Sequence, residues 1–197
     1  MIRQALLVMD YQVGIVDMYC GGDPTLVERM AATAAFARQA GIPVVYVRVA
    51  FRPGYPELHP ANKNFRGIDG TGRFRDGDPA TAIDPRVAPE DAEVVVTKHR
   101  VGAFLATELD QVLRSMGVAR IVLGGIATSG VVLSTVRDGA DRDYAVTVLQ
   151  DCCTDRDPTV HEVLMTRVFP RQASVTTAAD WYRQVDEETH DGVRSTR

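Results

Sequence analysis

Two charged residues stand at the ends of apolar runs, where a proton-transfer group would need to be. Asp10 follows Ala5-Leu6-Leu7-Val8-Met9, and Lys98 follows Val94-Val95-Val96-Thr97. A carboxylate that projects from the end of a buried strand into a crevice can move a proton to or from substrate or water. The plainer alternative is a carboxylate that only accepts backbone hydrogen bonds from the next loop. Lys98 is one of two lysines in the chain, the other being Lys63, and its place after an apolar strand does not suit a generic solubilising charge. Facing the crevice, its ammonium would favour the ionised form of Asp10 and donate to a developing negative charge, whereas burial would oppose both ionisations. A structural ion pair between the two is compatible with either role.

A third feature is the stretch Gly124-Gly125-Ile126-Ala127-Thr128-Ser129-Gly130-Val131-Val132. It follows the apolar run Ile121 to Leu123 and precedes a helical pattern from Val132 to Ala140, so it reads as a strand-to-helix turn at the carboxyl edge of a sheet. The small residues among Ile126, Ala127, Thr128, Ser129 and Gly130 would let a substrate approach backbone N–H groups, and the start of a helix favours anions. Val131 cannot attack a carbonyl. Ser129 and Thr128 carry hydroxyls, which become nucleophilic only beside a positioned base. Cys152 and Cys153 end another strand pattern and read as core, while Cys20 falls in a Gly-rich turn. His59, His99, His161 and His190 show no zinc spacing, so no metal is expected, and no dinucleotide or P-loop fingerprint is present.

Short β-branched runs alternate with longer helical stretches, the pattern of parallel βαβ units. Strands are expected at residues 4–10, 43–50, 94–97, 120–124, 145–150 and 173–176. The resulting fold class is α/β: a three-layer α/β/α, Rossmann-like arrangement around an open, mostly parallel sheet of about six strands. Asp23-Pro24 signals the start of a helix with Val27, Met30, Ala31, Ala34 and Ala37 as its apolar stripe, ended by Gly41. A further helix should carry Leu105, Leu109, Val112 and Met116, another should run to about Arg142, and a third, opened by Asp157-Pro158, should bury Val160, Leu164 and Val168. Residues 51–93 are rich in Gly, Pro, Arg and Asp with weak periodicity, and predict a long excursion over the sheet edge, of the kind that lines pockets. Residues 1–185 read as one domain and 186–197 as a polar tail without a stripe, expected to fray.

The three chemical segments together resemble the isochorismatase-like hydrolases, also called the cysteine hydrolase superfamily. The first strand of that family ends in an Asp followed two residues later by Gln, here Asp10 and Gln12. Another strand delivers its lysine, here Lys98, ahead of a Ser-Ala-Phe-like turn in which this chain has Gly102-Ala103-Phe104. The glycine-rich turn matches the signature that ends in Cys-Val in the amidase members, and Val131 takes the Cys position. The likeness covers roughly residues 4–178. It implies Asp10 and Lys98 as catalytic residues, a cis peptide at Ile126–Ala127, a pocket to which Gln12, His99, Arg100 and Phe104 contribute, and a homo-oligomer, a dimer or larger. The Asp-x-His arrangement of the nicotinamidase branch is absent, since this chain reads Val47-Arg48-Val49-Ala50-Phe51-Arg52. The isochorismate-cleaving branch also lacks the Cys and protonates a vinyl ether through its aspartate. It carries a Tyr-Ala-His run where this chain has Ala127-Thr128-Ser129.

A hydrolase of a small polar metabolite that uses Asp10 and Lys98 without covalent catalysis, extending to vinyl-ether cleavage, is therefore one expectation. A family member that binds or scaffolds without turnover is a second, and amide hydrolysis through Ser129 a third. The 197 residues include 22 Lys and Arg against 26 Asp and Glu, a net charge of −4, with the arginines interleaved among acids. That balance argues against nucleic acid as partner and leaves small molecules. No export signal or membrane-length apolar segment is seen, and three cysteines fit a reduced protein, so a cytoplasmic location is expected.

Overall fold

The structure, a computed structural model, describes the backbone of residues 2–194 and the side chains of residues 2–190. Its centre is a six-stranded, wholly parallel sheet: β1 (Gln4–Met9), β2 (Val44–Val49), β3 (Val94–Lys98), β4 (Arg120–Ile126), β5 (Ala145–Thr154) and β6 (Ser174–Thr176), in the order β3-β2-β1-β4-β5-β6. The strand order reverses direction between β1 and β4, and in open α/β sheets ligands bind outside the carboxyl ends at that point. β1 is buried along its whole length, which is why its sequence is continuously apolar rather than alternating.

Alternate residues of each strand feed two cores. Leu7, Met9, Val45, Val47, Ile121 and Leu123 face one side, where α3 (Leu109–Ser115) and α4 (Leu133–Asp141) pack through Leu109, Leu113 and Val136, with Val132 just before α4. Leu6, Val8, Val44, Tyr46 and Val122 face the other, covered by α1 (Val13–Cys20), α2 (Thr25–Gln39) and α6 (Ala178–Arg194) through Ile15, Met30, Ala34 and Trp181. This is the three-layer arrangement expected. Asp23 opens α2 by accepting the Thr25 N–H at 2.9 Å, while Pro24 already has helical dihedrals.

Several elements depart from expectation. α1 is an additional helix, and Cys20 is its last residue rather than part of a loop; Gly21, at φ 56°, closes it. α3 starts only at Leu109, because Ala106 adopts a left-handed φ of 56° and Thr107 Oγ1 accepts the Leu109 N–H, so Leu105 is left 58% exposed instead of on a buried stripe. β5 runs on to Thr154 through a register jump from Leu123↔Val148 to Gly125↔Cys153. After α5 (Pro158–Val163) a π-turn spans Leu164–Val168, which shifts the buried positions to Leu164, Met165 and Phe169 and leaves Val160 exposed. The tail expected to fray from residue 186 instead continues α6 to Arg194, with Glu188 3.4 Å from Arg120 and Thr189 Oγ1 donating to the Val185 carbonyl at 2.8 Å. Residues 195–197 lie outside the described residues. No helix among the described residues is long and apolar enough to cross a membrane.

Candidate active site

Asp10 is the first residue after β1, beside the point where the strand order reverses. Its N–H donates to the Val47 carbonyl at 2.8 Å, and a left-handed φ of 59° turns the chain away from the sheet, a conformation that Asp tolerates better than most residues. Lys98 ends β3 and reaches past the end of β2. Its Nζ lies 2.9 Å from Asp10 Oδ2, with the two side chains only 2% and 7% exposed, and it also donates to the Arg100 carbonyl at 3.1 Å. Asp10 Oδ1 is buried with no hydrogen-bond partner. Burial raises the Asp10 carboxyl above its ordinary value, and the neighbouring Lys98 works against that rise.

The turn after β4 supplies the facing wall. The Ile126–Ala127 peptide is cis, and residues Thr128–Val132 form a π-turn in which Gly130 leaves helical dihedrals (φ −99°, ψ −105°). The connection that follows β5 ties this turn down. Ser129 donates its N–H to Asp155 Oδ2 at 2.7 Å, and Thr128 Oγ1 is hydrogen-bonded to His161 Nδ1 at 2.8 Å. Burial lowers the pKa of His161, with Asp155 opposing. The Gly130 and Val132 N–H groups donate to the Ala127 carbonyl at 3.1 and 3.3 Å, so three N–H groups of the turn, those of Ser129, Gly130 and Val132, are committed within the protein and do not serve as oxyanion donors as they stand.

Between these walls lies a cavity of about 580 Å³. Asp10, Lys98, Ile126, Ala127, Ser129, Gly130 and Val131 line it, so the strand-end charges and the glycine-rich turn, far apart in sequence, meet at one site. The other expected pocket residues do not. Gln12 is fully buried as a clip: its Nε2 donates to the carbonyls of Val49 and Thr81 at 2.9 and 2.7 Å, and its Oε1 accepts the Val49 N–H at 2.7 Å. His99 turns to Glu57, 3.5 Å away, and packs near Phe51. Arg100 spends its Nη1 on the carbonyls of Glu57 and His99. Phe104 sits in the core against Tyr144, and Thr128 is wholly buried behind the turn. Cys152 and Cys153 are buried away from the cavity, and burial pushes the Cys152 thiol up to about 12, which keeps it protonated and inert.

The sequence pointed to the excursion as a pocket-lining segment, but it named none of the residues of the outer wall and missed the contribution of α1. Met18 and Tyr19 come from α1, and Asn64, Phe65, Ile68, Arg73 and Phe74 come from the excursion. The signal for α1 is present in Val13, Ile15, Val16 and Tyr19, a helical spacing stopped by Gly21. The excursion has no period, and only its interspersed aromatics hint at burial. A second concavity, of about 490 Å³, lies at the opposite end of the sheet, lined by the first residues of β4 and β5 together with α6. It is remote from the carboxyl strand ends. No group of three or more potential metal-ligating side chains occurs among the described residues.

Comparison with known proteins fits this geometry. Maleamate amidohydrolase of Pseudomonas putida is 29% identical over 187 residues, spanning 93% of this chain and 87% of that protein. A ureidoacrylate amidohydrolase of Methylobacterium radiotolerans is 33% identical over 149 residues, or 70% of this chain and 58% of that protein. The solved structure of an isochorismatase family protein from Burkholderia thailandensis superposes with a TM-score of 0.83 at 30% identity, covering 93% of this chain and 96% of that one. The Isochorismatase domain matches residues 4–180, so that β1, the Lys98 strand and the cis-peptide turn all fall inside it, and the chain belongs to the isochorismatase family of hydrolases.

Proposed function

We propose that this cavity hydrolyses a small polar metabolite, with Asp10 carrying the proton, Lys98 answering the developing negative charge, and water rather than a protein side chain attacking. The observation that carries the reading is Asp10 Oδ1, buried and unpartnered at a cavity wall while Lys98 holds the other oxygen at 2.9 Å. Such a carboxyl is oriented, and its second oxygen has no internal partner that competes for a proton of substrate or water. Val131, at the position that carries Cys in the amidases the chain resembles, supports attack by water.

The balance of the reaction is the same for either bond the family resemblance suggests. In an amide, the kind of bond that the amidohydrolase relatives' names indicate, water adds to the carbonyl carbon, the C–N bond breaks, and Asp10 passes the water's proton to the leaving nitrogen. In a vinyl ether, protonated Asp10 donates to the alkene carbon, water adds to the resulting cation and returns a proton to Asp10, and the hemiketal collapses to a ketone as the C–O bond breaks and its hydroxyl proton passes to the leaving oxygen. Ser129 is a weaker candidate for the attacking group: it lines the cavity, but no hydrogen bond joins its hydroxyl to a base among the described residues.

The test is ammonia release from maleamate and pyruvate release from isochorismate, measured on the wild type, Asp10→Asn and Ser129→Ala. Turnover of at least one substrate is expected, falling at least about a hundredfold in Asp10→Asn, the usual scale of a lost general acid or base, and persisting in Ser129→Ala. Turnover that survives Asp10→Asn overturns the mechanism. Thermal stabilisation by either compound without turnover points to a binding protein instead.

A further inference from the structure

We propose that Arg73 receives a carboxylate of the substrate, making the site selective for small monoanionic acids whose reacting group lies at the other end, against Asp10 and the cis-peptide turn. The inference rests on the cavity being the active site. Three charged side chains line the cavity: Asp10, Lys98 and Arg73. The first two are committed to each other at 2.9 Å, which leaves Arg73 as the charge the wall has not answered.

Its place on the cavity sets Arg73 apart from Arg66 and Arg75, which likewise have no ion pair among the described residues but do not line it, and its lack of a partner sets it apart from three other arginines. Arg48 is paired with Asp76, Arg52 with Glu57 and Arg86 with Asp84. Arg73 has no carboxylate within ion-pair distance among the described residues. Among the described residues its guanidinium makes one hydrogen bond, to the Met18 sulfur 3.8 Å from Nη2, and lies 5.6 Å from the centre of the Phe74 ring. Soft and aromatic neighbours hold a cation in place without using up its in-plane N–H donors. The backbone beneath it is fixed from both sides: the Arg73 N–H donates to Thr71 Oγ1 at 3.2 Å, and its carbonyl accepts the Tyr55 hydroxyl at 2.9 Å.

The rest of that wall is Phe65, Ile68 and Phe74, with the Asn64 amide. An apolar wall disfavours a free carboxylate everywhere except beside the guanidinium, which is itself exposed and open to an entering anion. The planar fork of Arg matches a carboxylate with two parallel hydrogen bonds, a geometry Lys cannot supply. Because the chain as a whole is negative by four charges, anion capture here does not come from a general basic surface.

The experiment is calorimetric binding of maleamate and succinamate against their uncharged diamides, on the wild-type protein and on Arg73→Gln, Arg73→Lys and Asp10→Asn. The wild type is expected to bind each monoacid about tenfold more tightly than its diamide, a charge-assisted pair's worth of discrimination. Arg73→Gln should erase that preference without changing diamide affinity, and Arg73→Lys should restore part of it. Equal affinity for acids and diamides in the wild type, no binding by any of the four, or a preference that survives Arg73→Gln overturns the proposal. Asp10→Asn separates the two readings: loss of turnover with the carboxylate preference intact supports both. Binding selectivity without any wild-type turnover leaves Arg73's role standing and removes hydrolysis of these compounds.

Discussion

Asp10 and Lys98 face opposing demands, since burial disfavours each charge while their 2.9 Å separation favours both. The balance shows in how the pair should respond to losing one partner. In Lys98→Met the carboxyl stays buried without its cation, and its pKa, already raised by desolvation, moves further up. A folded-state pKa above the unfolded one means that protonation favours folding: that contribution is present at low pH and lost as pH rises through the folded value. Lys98→Met should therefore be less stable than the wild type by about 3–5 kcal/mol near neutrality and above, with the deficit shrinking as the pH is lowered toward about 5. Urea unfolding across that range is the measurement, and a deficit that is flat or widens on acidification would sink this account. Both residues were legible in the sequence because a charge that closes an apolar run is carried inward with its strand, where a solubilising role makes no sense. Gln12, His99 and Arg100 were misjudged because their side chains turn toward backbone carbonyls and Glu57, partners that neighbouring sequence does not reveal.

The elements around the site are joined by buried polar clips as well as by packing. Gln12 binds the end of β2 through both the N–H and carbonyl of Val49 and reaches Thr81 in the excursion, so one amide ties the start of α1, the end of β2 and the later part of the excursion together. Gln12→Leu keeps the volume but strands three backbone groups, and should cost roughly 2–4 kcal/mol by the usual net worth of a buried hydrogen bond and the penalty of leaving partners unmade. Chemical denaturation of the variant against the wild type measures it; a loss below about half a kcal/mol would place it with ordinary surface substitutions and show that the clip is dispensable. Local pattern located the strands well, since their apolar runs are continuous, yet it failed at α3 and the segment after α5. There, Ala106 in a left-handed conformation and the π-turn at Leu164–Val168 move the buried face off the register that regular periodicity extrapolates.

The whole molecule divides the labour between a sheet that is readable from sequence and an excursion that is not. The parallel strands follow from alternation of apolar runs with helices, whereas residues 51–93 acquire their shape from contacts with the finished sheet. Phe51 is the pin. It is fully buried against Tyr55 and Phe65, its N–H donates to the Phe74 carbonyl and its own carbonyl accepts the Asp76 N–H, both at 2.8 Å. The cavity wall that carries Phe65, Arg73 and Phe74 is thus anchored at Phe51, by its ring as well as by its backbone. Trp181 of α6 is equally buried in the same core layer, where its indole donates to Gln4 Oε1 at 3.2 Å, but it does not line the cavity. Phe51→Leu and Trp181→Leu should each lose roughly 1–3 kcal/mol of stability, as reshaped core positions do. Only Phe51→Leu should weaken maleamate binding measured well below its unfolding transition, because only there does the lost packing let the outer wall move relative to Asp10 and the cis-peptide turn. Equal effects of the two substitutions on affinity would mean that the wall is held by the sheet as a whole and not by its aromatic pin.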